Sequence, residues 1–324
     1  MKSFCITVGA ALYLGLTTAV ATACCGVSPN GKPVAFGDQT NIVIWDAGSK
    51  TEHFIRDAKF SSTAADFGFI APTPSKPELS EASAGAFDTL EALKPAKDDT
   101  VGAAGAMGAA SLDKSIEVIQ QVDVAGYRAT TLLASDSVAL ADWMRKNGYQ
   151  TTPAVETWTK VYIAKGWYLT AFKVLDKAQV ASTGTVRMSF KTDRPFNPYY
   201  VPSDNIKEGQ KGTLKLYFVS AGDYKATVGN SEPWKDADWS VPVPSGTAVR
   251  LASQLKLPRS AIPVDSEVAA FVDSDFPRAA QDDIYFSKQG SNMAPSPRPY
   301  MLPIGIVIVL GATVFLLWRR ARAK

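Results

Sequence analysis

The stretch "NIVIWDAGSKTEHFIRDAKF" (Asn41–Phe60) decides the fold class. Its first part, Asn41–Trp45, is mostly apolar and rich in β-branched side chains, which favour extended strands. The Asp-Ala-Gly-Ser segment that follows has the composition of a tight turn, and Thr51–Phe60 returns as a second strand. The pattern predicts an antiparallel β-hairpin, which needs further strands or helices to bury its apolar face.

The segments after this hairpin predict more strands and a helix. A third strand, "DFGFIAPTP", should stop at Pro72 and Pro74, because proline cannot donate a backbone hydrogen bond to a sheet. Apolar residues at helical spacing predict a helix from Pro77 to about Leu93. Further strands are predicted at 116–124, 127–133, 167–175 and 185–196, with strand-rich segments at 212–226 and 266–288.

Two helices are predicted in the middle of the chain. In the first, Ser135 is the candidate N-cap and Gly148 the C-terminal stop, with Leu140, Trp143 and Met144 as its buried stripe. The second begins at Thr152-Pro153, buries Val155, Trp158 and Tyr162, and ends at Gly166. Runs of strands around a few packed helices indicate an α+β fold with a mostly antiparallel sheet.

The N-terminus predicts an export signal over residues 1–23. Lys2 provides the basic start, an uncharged and mostly apolar run follows, and Ala21-Thr22-Ala23 has the small-x-small pattern for cleavage between Ala23 and Cys24. Lipidation of Cys24 is the alternative, because lipoprotein signals also end in a small residue followed by cysteine. Those signals favour Leu where this chain has Ala21, so cleavage without lipid is the preferred interpretation.

The two adjacent cysteines, Cys24 and Cys25, do not suit a disulfide with each other. Neighbouring Cα atoms lie ~3.8 Å apart, shorter than the usual disulfide span of about 4.4–6.8 Å. The mature chain has no third cysteine, which leaves an intermolecular bridge, a weak metal site with the new amino terminus, or two free thiols.

The C-terminus predicts a transmembrane helix at 300–318. Met301–Trp318 is uncharged and dominated by Leu, Ile, Val and Phe, and its length of about 27 Å nearly matches a bilayer core of roughly 30 Å. The basic tail at 319–324 predicts a cytoplasmic C-terminus. The helix lacks the motif that precedes removal by an envelope transpeptidase, so we expect a permanent anchor in the lipid bilayer.

These end segments define the domain organisation. An extracytoplasmic α+β domain is predicted at 24–288, and a division into two subdomains that meet near 200–212 is the alternative. A Pro/Ser-rich linker at 289–299 joins it to the membrane helix, so the bulk of the protein is expected outside the cytoplasm, in the periplasm or at the cell surface.

The charge balance gives no support to a nucleic-acid partner. The whole chain has a formal charge of +3. Without Lys2 and the four basic residues of the tail, 29 of the 34 basic residues remain against 31 acidic ones. The basic excess therefore comes from topology signals and not from a nucleic-acid-binding face.

The sequence contains no complete catalytic constellation. His53 is the single histidine and no nucleophile motif accompanies it, so it is interpreted as a surface or hydrogen-bonded strand residue. Zinc is disfavoured because separated ligand pairs are missing, and no cofactor is expected. Acidic pairs are candidates for acid–base chemistry, although most such pairs in loops are solvated or form turns: Asp98-Asp99, Asp273 with Asp275, and Asp282-Asp283.

Two further features invite a binding interpretation. Several aromatic residues could form a platform for sugar or peptide, although aromatic residues in strands are mostly core: Trp167-Tyr168, Tyr199-Tyr200, Trp234 and Trp239. The glycines of "GAAGAMGAA" (102–110) match neither the dinucleotide nor the Walker pattern, so this segment is interpreted as a surface loop.

The segments "DFGFIAPTPSKPEL", "GYRATTLLASDSVALADWMRKNGYQ", "GWYLTAFKV" and "VRMSFKTDRPFNPYY", in this order, carry a family resemblance. The chain resembles, from about Cys24 to Pro202, a bacterial exported-protein family catalogued as a domain of unknown function, number twenty-three thirty. The resemblance implies an export signal, a cysteine-containing mature start and often a C-terminal membrane helix. It implies no activity, substrate or catalytic residue. Many members have a glycine-spaced cysteine pair, which is replaced here by adjacent cysteines, so no disulfide is carried over.

Two functions from different classes follow from these features. The first is a non-enzymatic, membrane-anchored extracytoplasmic module that binds an envelope protein partner or stabilises an envelope assembly. The second is an envelope hydrolase that uses acidic residues, which requires two carboxylates in one cleft with a raised pKa.

Overall fold

The computed structural model describes residues 25–27, 35–61, 68–95, 117–175, 184–206, 212–277, 279–280 and 282–289. The described residues belong to one compact unit. The described residues contain sixteen strands and four α-helices, which confirms an α+β fold. The helices are α1 (Gly85–Glu91), α2 (Ser137–Lys146), α3 (Pro153–Ala164) and α4 (Ser245–Gln254).

The strands group into three sheets. In chain order they are β1 (Cys25–Val27), β2 (Ala35–Asp46), β3 (Thr51–Ser61), β4 (Gly68–Thr73), β5 (Glu78–Ala82), β6 (Glu117–Val124), β7 (Tyr127–Leu133), β8 (Tyr168–Val174), β9 (Thr185–Lys191), β10 (Phe196–Asn197), β11 (Gly212–Ala221), β12 (Tyr224–Val228), β13 (Glu232–Pro233), β14 (Trp239–Pro242), β15 (Ser266–Phe276) and β16 (Ile284–Lys288). The sheet orders are β14-β15-β11-β2-β3-β9-β5, β1-β4-β8-β7-β6 and β10-β16-β12-β13.

The hairpin of β2 and β3 occupies the middle of the seven-stranded sheet, as its apolar character predicts. Ile42 pairs with Ile55, and Ile44 pairs with His53. Among the described strands, neighbours run antiparallel except for β2 and β11, which are parallel. The prediction of mostly antiparallel structure is confirmed, in three sheets where the sequence predicted one.

Two hydrophobic cores lie on opposite faces of the seven-stranded sheet. On one face, Ile42, Ile44 and Ile55 pack with residues of α1 and α4, such as Leu90 and Leu251. On the other face, the core contains Val43 and Phe54 of this sheet, Phe69 and Phe172 of the five-stranded sheet, and Phe286 of the four-stranded sheet. This core draws residues from both sides of 200–212.

Helices α2 and α3 pack on the outer face of the five-stranded sheet and form a third core with it. It contains Leu132 and Leu169 from the sheet, Leu140 from α2, and Trp158 from α3. The layers from one side to the other are therefore α1 with α4, the seven-stranded sheet, the two smaller sheets, and α2 with α3.

Local chemistry explains the bounds of α2 and α3. Thr152 caps α3 by accepting a hydrogen bond from Val155 N, and Pro153 occupies its first turn, as predicted. The N-cap of α2 is Asp136 and not Ser135, because the Asp136 carboxylate accepts from Ala139 N at 2.8 Å. The Ser135 hydroxyl instead donates to Asp136, one residue before the cap.

The helix predicted from Pro77 to Leu93 is wrong in its first half. Residues Glu78–Ala82 form β5, which pairs with β9, and the helix α1 starts at Gly85. Leu79 and Ala82 belong to cores on opposite faces of the sheet. Residues three apart point to opposite sides in a strand but to one side in a helix, so burial of both requires a strand.

Two other sequence expectations change. Strand β4 continues through Pro72, which pairs with Leu169, instead of stopping there. Pro72 lies beyond the last β1 partner, Ile70, so on that edge no described strand needs a hydrogen bond from residue 72. Helix α4 (Ser245–Gln254) lies between the two strand-rich segments, where no helix was predicted.

Several predictions concern residues outside the described ranges. They are the export signal with its Ala23–Cys24 cleavage site and possible lipidation, the glycine-rich segment at 102–110, Asp98-Asp99, nearly all of the 289–299 linker, the 300–318 helix and the tail. Among the residues that the structure describes, no helix is long and apolar enough to cross a bilayer.

Candidate functional site

His53 is a fixed strand residue. It is 7% exposed, and its Nδ1 lies 2.8 Å from the Ser189 hydroxyl oxygen. Burial, together with the positive charge of Arg187, lowers the pKa of His53 to about 4. The imidazole is therefore neutral at physiological pH, and its Nδ1 is hydrogen-bonded to the Ser189 hydroxyl.

The acidic pair Asp282-Asp283 lies where α3, the segment after β10 and the start of β16 meet. Asp283 is fully buried. The Tyr162 hydroxyl donates to its two carboxylate oxygens at 3.0 and 3.1 Å. The backbone amides of Tyr199 and Tyr200 donate to Oδ1 at 2.9 and 3.1 Å. We call Asp283 with Tyr162, Tyr199 and Tyr200 the Asp283 junction.

The charge of Asp283 is controlled by its burial. Desolvation raises the pKa of Asp283 to about 6, although Lys165 and the two amide donors favour the ionised form. Its neighbour Asp282 points outward and pairs with Lys165 at 3.2 Å. The two carboxylates therefore have different environments, and the one with the raised pKa is enclosed by hydrogen bonds.

Aromatic rings cover the outer side of this junction. The Lys165 ammonium lies 5.5 Å from the ring of Tyr162, 5.1 Å from Trp167 and 5.9 Å from Tyr285. Such cation–π contacts hold the long lysine side chain in place. The Trp158 indole also donates to Tyr200 O at 2.8 Å, which ties α3 to the same segment.

The second described acidic pair is also integrated into the fold. Asp273 is 3% exposed and accepts a hydrogen bond from the Tyr199 hydroxyl at 2.6 Å. The backbone amide of Asp275 donates to the other oxygen of Asp273 at 3.1 Å. Asp273 therefore anchors Tyr199, which in turn donates its amide to Asp283.

The aromatic residues proposed as a platform do not form one face. Tyr199 is buried against Phe276 and Trp234 in the core between the sheets. Trp239 packs near Tyr217 on the helix-covered side of the seven-stranded sheet. Trp167 belongs to the cover of the Asp283 junction.

Glu52 is a buried carboxyl that the sequence did not single out. It is fully buried in β3, and one of its oxygens accepts a hydrogen bond from Phe196 N at 2.9 Å. Desolvation raises the pKa of Glu52 well above its usual value. Its neighbours along the strand are the polar residues Thr51 and His53, so the local sequence gave no signal of this burial, and charged residues are mostly exposed.

A recess of about 550 Å³, including its open mouth, lies between α2 and the five-stranded sheet. The floor comes from residues of the sheet, among them the apolar Ile70 and Ala171 and the polar Thr130. Trp143 and Met144 of α2 form the wall. We call this feature the α2 recess; its lining also includes Phe69, Val118, Gln121, Arg128, Asn147, Tyr149, Phe172 and Lys173.

The polar side chains of the α2 recess are amides, hydroxyls and two cations, Arg128 and Lys173. No carboxylate belongs to its described lining, and the Asp283 junction contributes no residue to it. Within the described parts of the chain, no group of three or more His, Cys, Asp or Glu residues is placed to hold a metal ion. The recess can therefore accept an apolar group with a polar or anionic end.

The chain belongs to an uncharacterized protein family conserved in bacteria, the domain of unknown function DUF2330, whose model matches residues 18–229. This confirms the resemblance found in the sequence and extends it past residue 202. The match includes the whole α2 recess and the donors Tyr162, Tyr199 and Tyr200 of the Asp283 junction, and it ends before Asp283 itself. No curated protein matches the chain.

Solved structures give a remote similarity. Baculovirus P35 has a TM-score of 0.37 at 9% identity and covers 79% of this chain and 92% of its own. A chain of the caspase-8/P35 complex has a TM-score of 0.34 at 8% identity, with 78% of this chain and 90% of that chain covered. A mutated baculovirus P35 after caspase cleavage has a TM-score of 0.33 at 10% identity, with 77% and 93% covered. Structural similarity at this level supports no conclusion about the function of this chain.

Proposed function

We propose that this member of the family is a membrane-anchored extracytoplasmic module that binds a ligand in the α2 recess and does not convert it. The single observation that carries the proposal is the separation of the recess from the buried carboxylates. The recess has a floor that is apolar at Ala171 and Ile70, and its described lining contains cationic groups but no carboxylate. The carboxylates with raised pKa, Asp283 and Glu52, are fully buried at other places in the fold.

Photocrosslinking in intact cells tests the binding proposal. A photoreactive phenylalanine replaces exposed Asn147 at the recess in one variant, and exposed Val249 on α4 in a matched control. We expect a reproducible adduct, identified by its mass, at position 147 and not at 249. Equal labelling at both positions, or none at either, contradicts the proposal. A protein adduct identifies an envelope partner, and a small-mass adduct identifies a small ligand.

The anchoring part of the proposal is supported by the uncharged run at 301–318 and the basic residues after it. It places the described domain outside the cytoplasm and the tail inside, with the lipid bilayer as the second partner. Reporter enzymes fused after Lys324 test this orientation. A cytoplasmic reporter is expected to be active and an export-dependent reporter inactive, and the reverse result contradicts the anchor.

One observation favours the alternative of an envelope hydrolase. Burial raises the pKa of Asp283 to about 6, which is a condition for a general acid. Against it, three donors already occupy the Asp283 carboxylate, and its side chain has no exposed surface. Hydrolysis of envelope material that is lost on Asp283→Asn, with the fold retained, would establish the alternative.

A further inference from the structure

We infer that the ligand of the α2 recess is a small amphipathic anion, with its negative head at Lys173 and its apolar tail on the Ala171 floor. This inference rests on the proposed function, because it names the ligand class of the same site. It follows from the strand register of the five-stranded sheet, which arranges the outward side chains of the recess in two neighbouring rows.

The first row forms the floor. Across β6, β7, β8 and β4, the register places four residues side by side: Gln121, Thr130, Ala171 and Ile70. The row changes from polar at the β6 side to apolar at the β4 side. Ala171 is small and partly exposed between larger neighbours, so it leaves the depression that Trp143 and Met144 overhang. An apolar tail placed on Ala171 would be removed from water on several sides.

The second row carries the charges. In the same strand order its members are Asp123, Arg128, Lys173 and Gly68. Asp123 pairs with Arg128 at 3.3 Å. Lys173 stands directly opposite Arg128, and like charges in that relation repel each other. The row therefore has one positive charge more than it has negative charges.

The next position in the row cannot supply the missing anion. It is Gly68, where an added Cβ would lie 2.3 Å from the Phe172 carbonyl oxygen. The sheet is too tight there for any side chain, so the described strand β4, Gly68–Thr73, offers Lys173 no carboxylate. The negative partner has to come from outside this row.

The contacts of Lys173 leave its ammonium available. Its Nζ donates a long hydrogen bond of 3.4 Å to Asn147 O and lies 4.9 Å from the Tyr149 ring. Among the described residues no carboxylate lies within ion-pair distance of it. Both contacts hold the ammonium at the rim of the recess. A bound anion would gain a charge-assisted hydrogen bond there and would also relieve the repulsion from Arg128.

Equilibrium dialysis of the full chain in lipid nanodiscs tests the ligand class. Three probes share one chain length and differ in head-group charge: radiolabelled hexanoate, hexanol and hexylamine, with empty nanodiscs to subtract partition into lipid. We expect hexanoate to bind most tightly. Lys173→Gln should weaken hexanoate binding about tenfold, which is the loss of roughly one charged hydrogen bond. Ala171→Phe should abolish it.

The matched control is Lys225→Gln, which removes an equal charge from an exposed position on β12 and should leave binding unchanged. If hexanol or hexylamine binds as tightly as hexanoate, and Ala171→Phe abolishes that binding, the anion inference is overturned and the proposed binding function remains. If Lys173→Gln leaves hexanoate binding unchanged, the anion inference is likewise overturned and the binding function remains. The absence of any binding, together with no adduct at position 147, would overturn both.

Discussion

The Asp283 junction lies against α3 and the α2 recess lies against α2. Both contain charged side chains, but these side chains have opposite environments. At the junction, a fully buried carboxylate accepts hydrogen bonds from donors on two segments, α3 and the segment after β10. At the recess, two cations share one row with a single carboxylate and face open space. A polar group whose hydrogen bonds are complete within the fold serves the fold. A charged side chain beside an open depression with apolar residues is suited to binding a ligand.

The largest expected effect is at the junction. Asp283→Leu leaves the Tyr162 hydroxyl and the amides of Tyr199 and Tyr200 without their acceptor, and each unpaired buried donor costs about 1–3 kcal/mol. We expect a loss of about 4 kcal/mol in the free energy of unfolding, measured by urea titration near pH 5. Asp282→Asn, at the outward neighbour, should cost less than about 1 kcal/mol. Equal losses in the two variants would show that the junction is not a closed structural site.

The second effect is a pH dependence of the same carboxylate. The folded-state pKa of Asp283, about 6, lies above its ordinary 3.8, so the folded protein binds this proton more tightly. The contribution of Asp283 to stability is therefore complete below about pH 4 and falls by about 3 kcal/mol as pH rises to 6 and above. Glu52, whose pKa is also raised, changes in the same direction.

His53 has the opposite sign, which decides how this prediction is measured. Its folded-state pKa is lowered to about 4, so its contribution is complete above its ordinary 6.5 and is lost as pH falls toward 4. The stability of the wild-type protein alone would mix the three groups. The difference between wild type and Asp283→Asn isolates Asp283, and it should shrink between pH 4 and 6. A difference that is constant with pH would contradict a raised pKa.

Filling the recess should have a smaller effect on stability. Ala171→Phe places a larger apolar side chain in space that is empty, so neither a cavity nor a severe overlap results. We expect the free energy of unfolding to change by less than about 1 kcal/mol. Ala129→Phe is the matched control, because Ala129 is fully buried in the core on the other face of the sheet and should be destabilised more strongly. If both cost the same, the recess is as tightly packed as the core.

The smallest effect concerns the charge row. Lys173→Gln removes the like-charge neighbour of Arg128 and should stabilise the ligand-free protein by about 0.3 kcal/mol. Thermal unfolding at low ionic strength is the measurement, because salt screens exposed charges. Asp123→Asn should shift stability in the opposite direction. A clear loss of stability in Lys173→Gln would mean that the lysine serves the fold.

The fold was predictable from the sequence where its causes are local. The β2–β3 hairpin, the turn at Ala125-Gly126 and the start of α3 at Thr152 depend on residues close together in the chain. The strand β5 was not predictable in this way, because Leu79 and Ala82 fit a helical period and only the two cores of the folded protein separate them. The local sequence allowed a helix or a strand there, and burial in two separate cores of the folded protein selects the strand.

The two sites differ in the same respect. The donors to Asp283 lie more than eighty residues away along the chain, at Tyr162, Tyr199 and Tyr200, so no motif announces them. Part of the recess could have been found. The two-residue turn at Ala125-Gly126 places Asp123 opposite Arg128 by counting outward from it. The position of Lys173 beside Arg128 needed the register of β8, which the sequence does not specify.

The most direct test of the central claim, that ligand binding belongs to the recess and not to the carboxylates, is native mass spectrometry of the full chain taken from the cells that produce it. Wild type, Asp283→Asn and Ala171→Phe are compared under conditions where all three are folded. We predict a retained small molecule in wild type and in Asp283→Asn, and its absence in Ala171→Phe. Retention in Ala171→Phe with loss in Asp283→Asn would place the function at the junction and contradict the account.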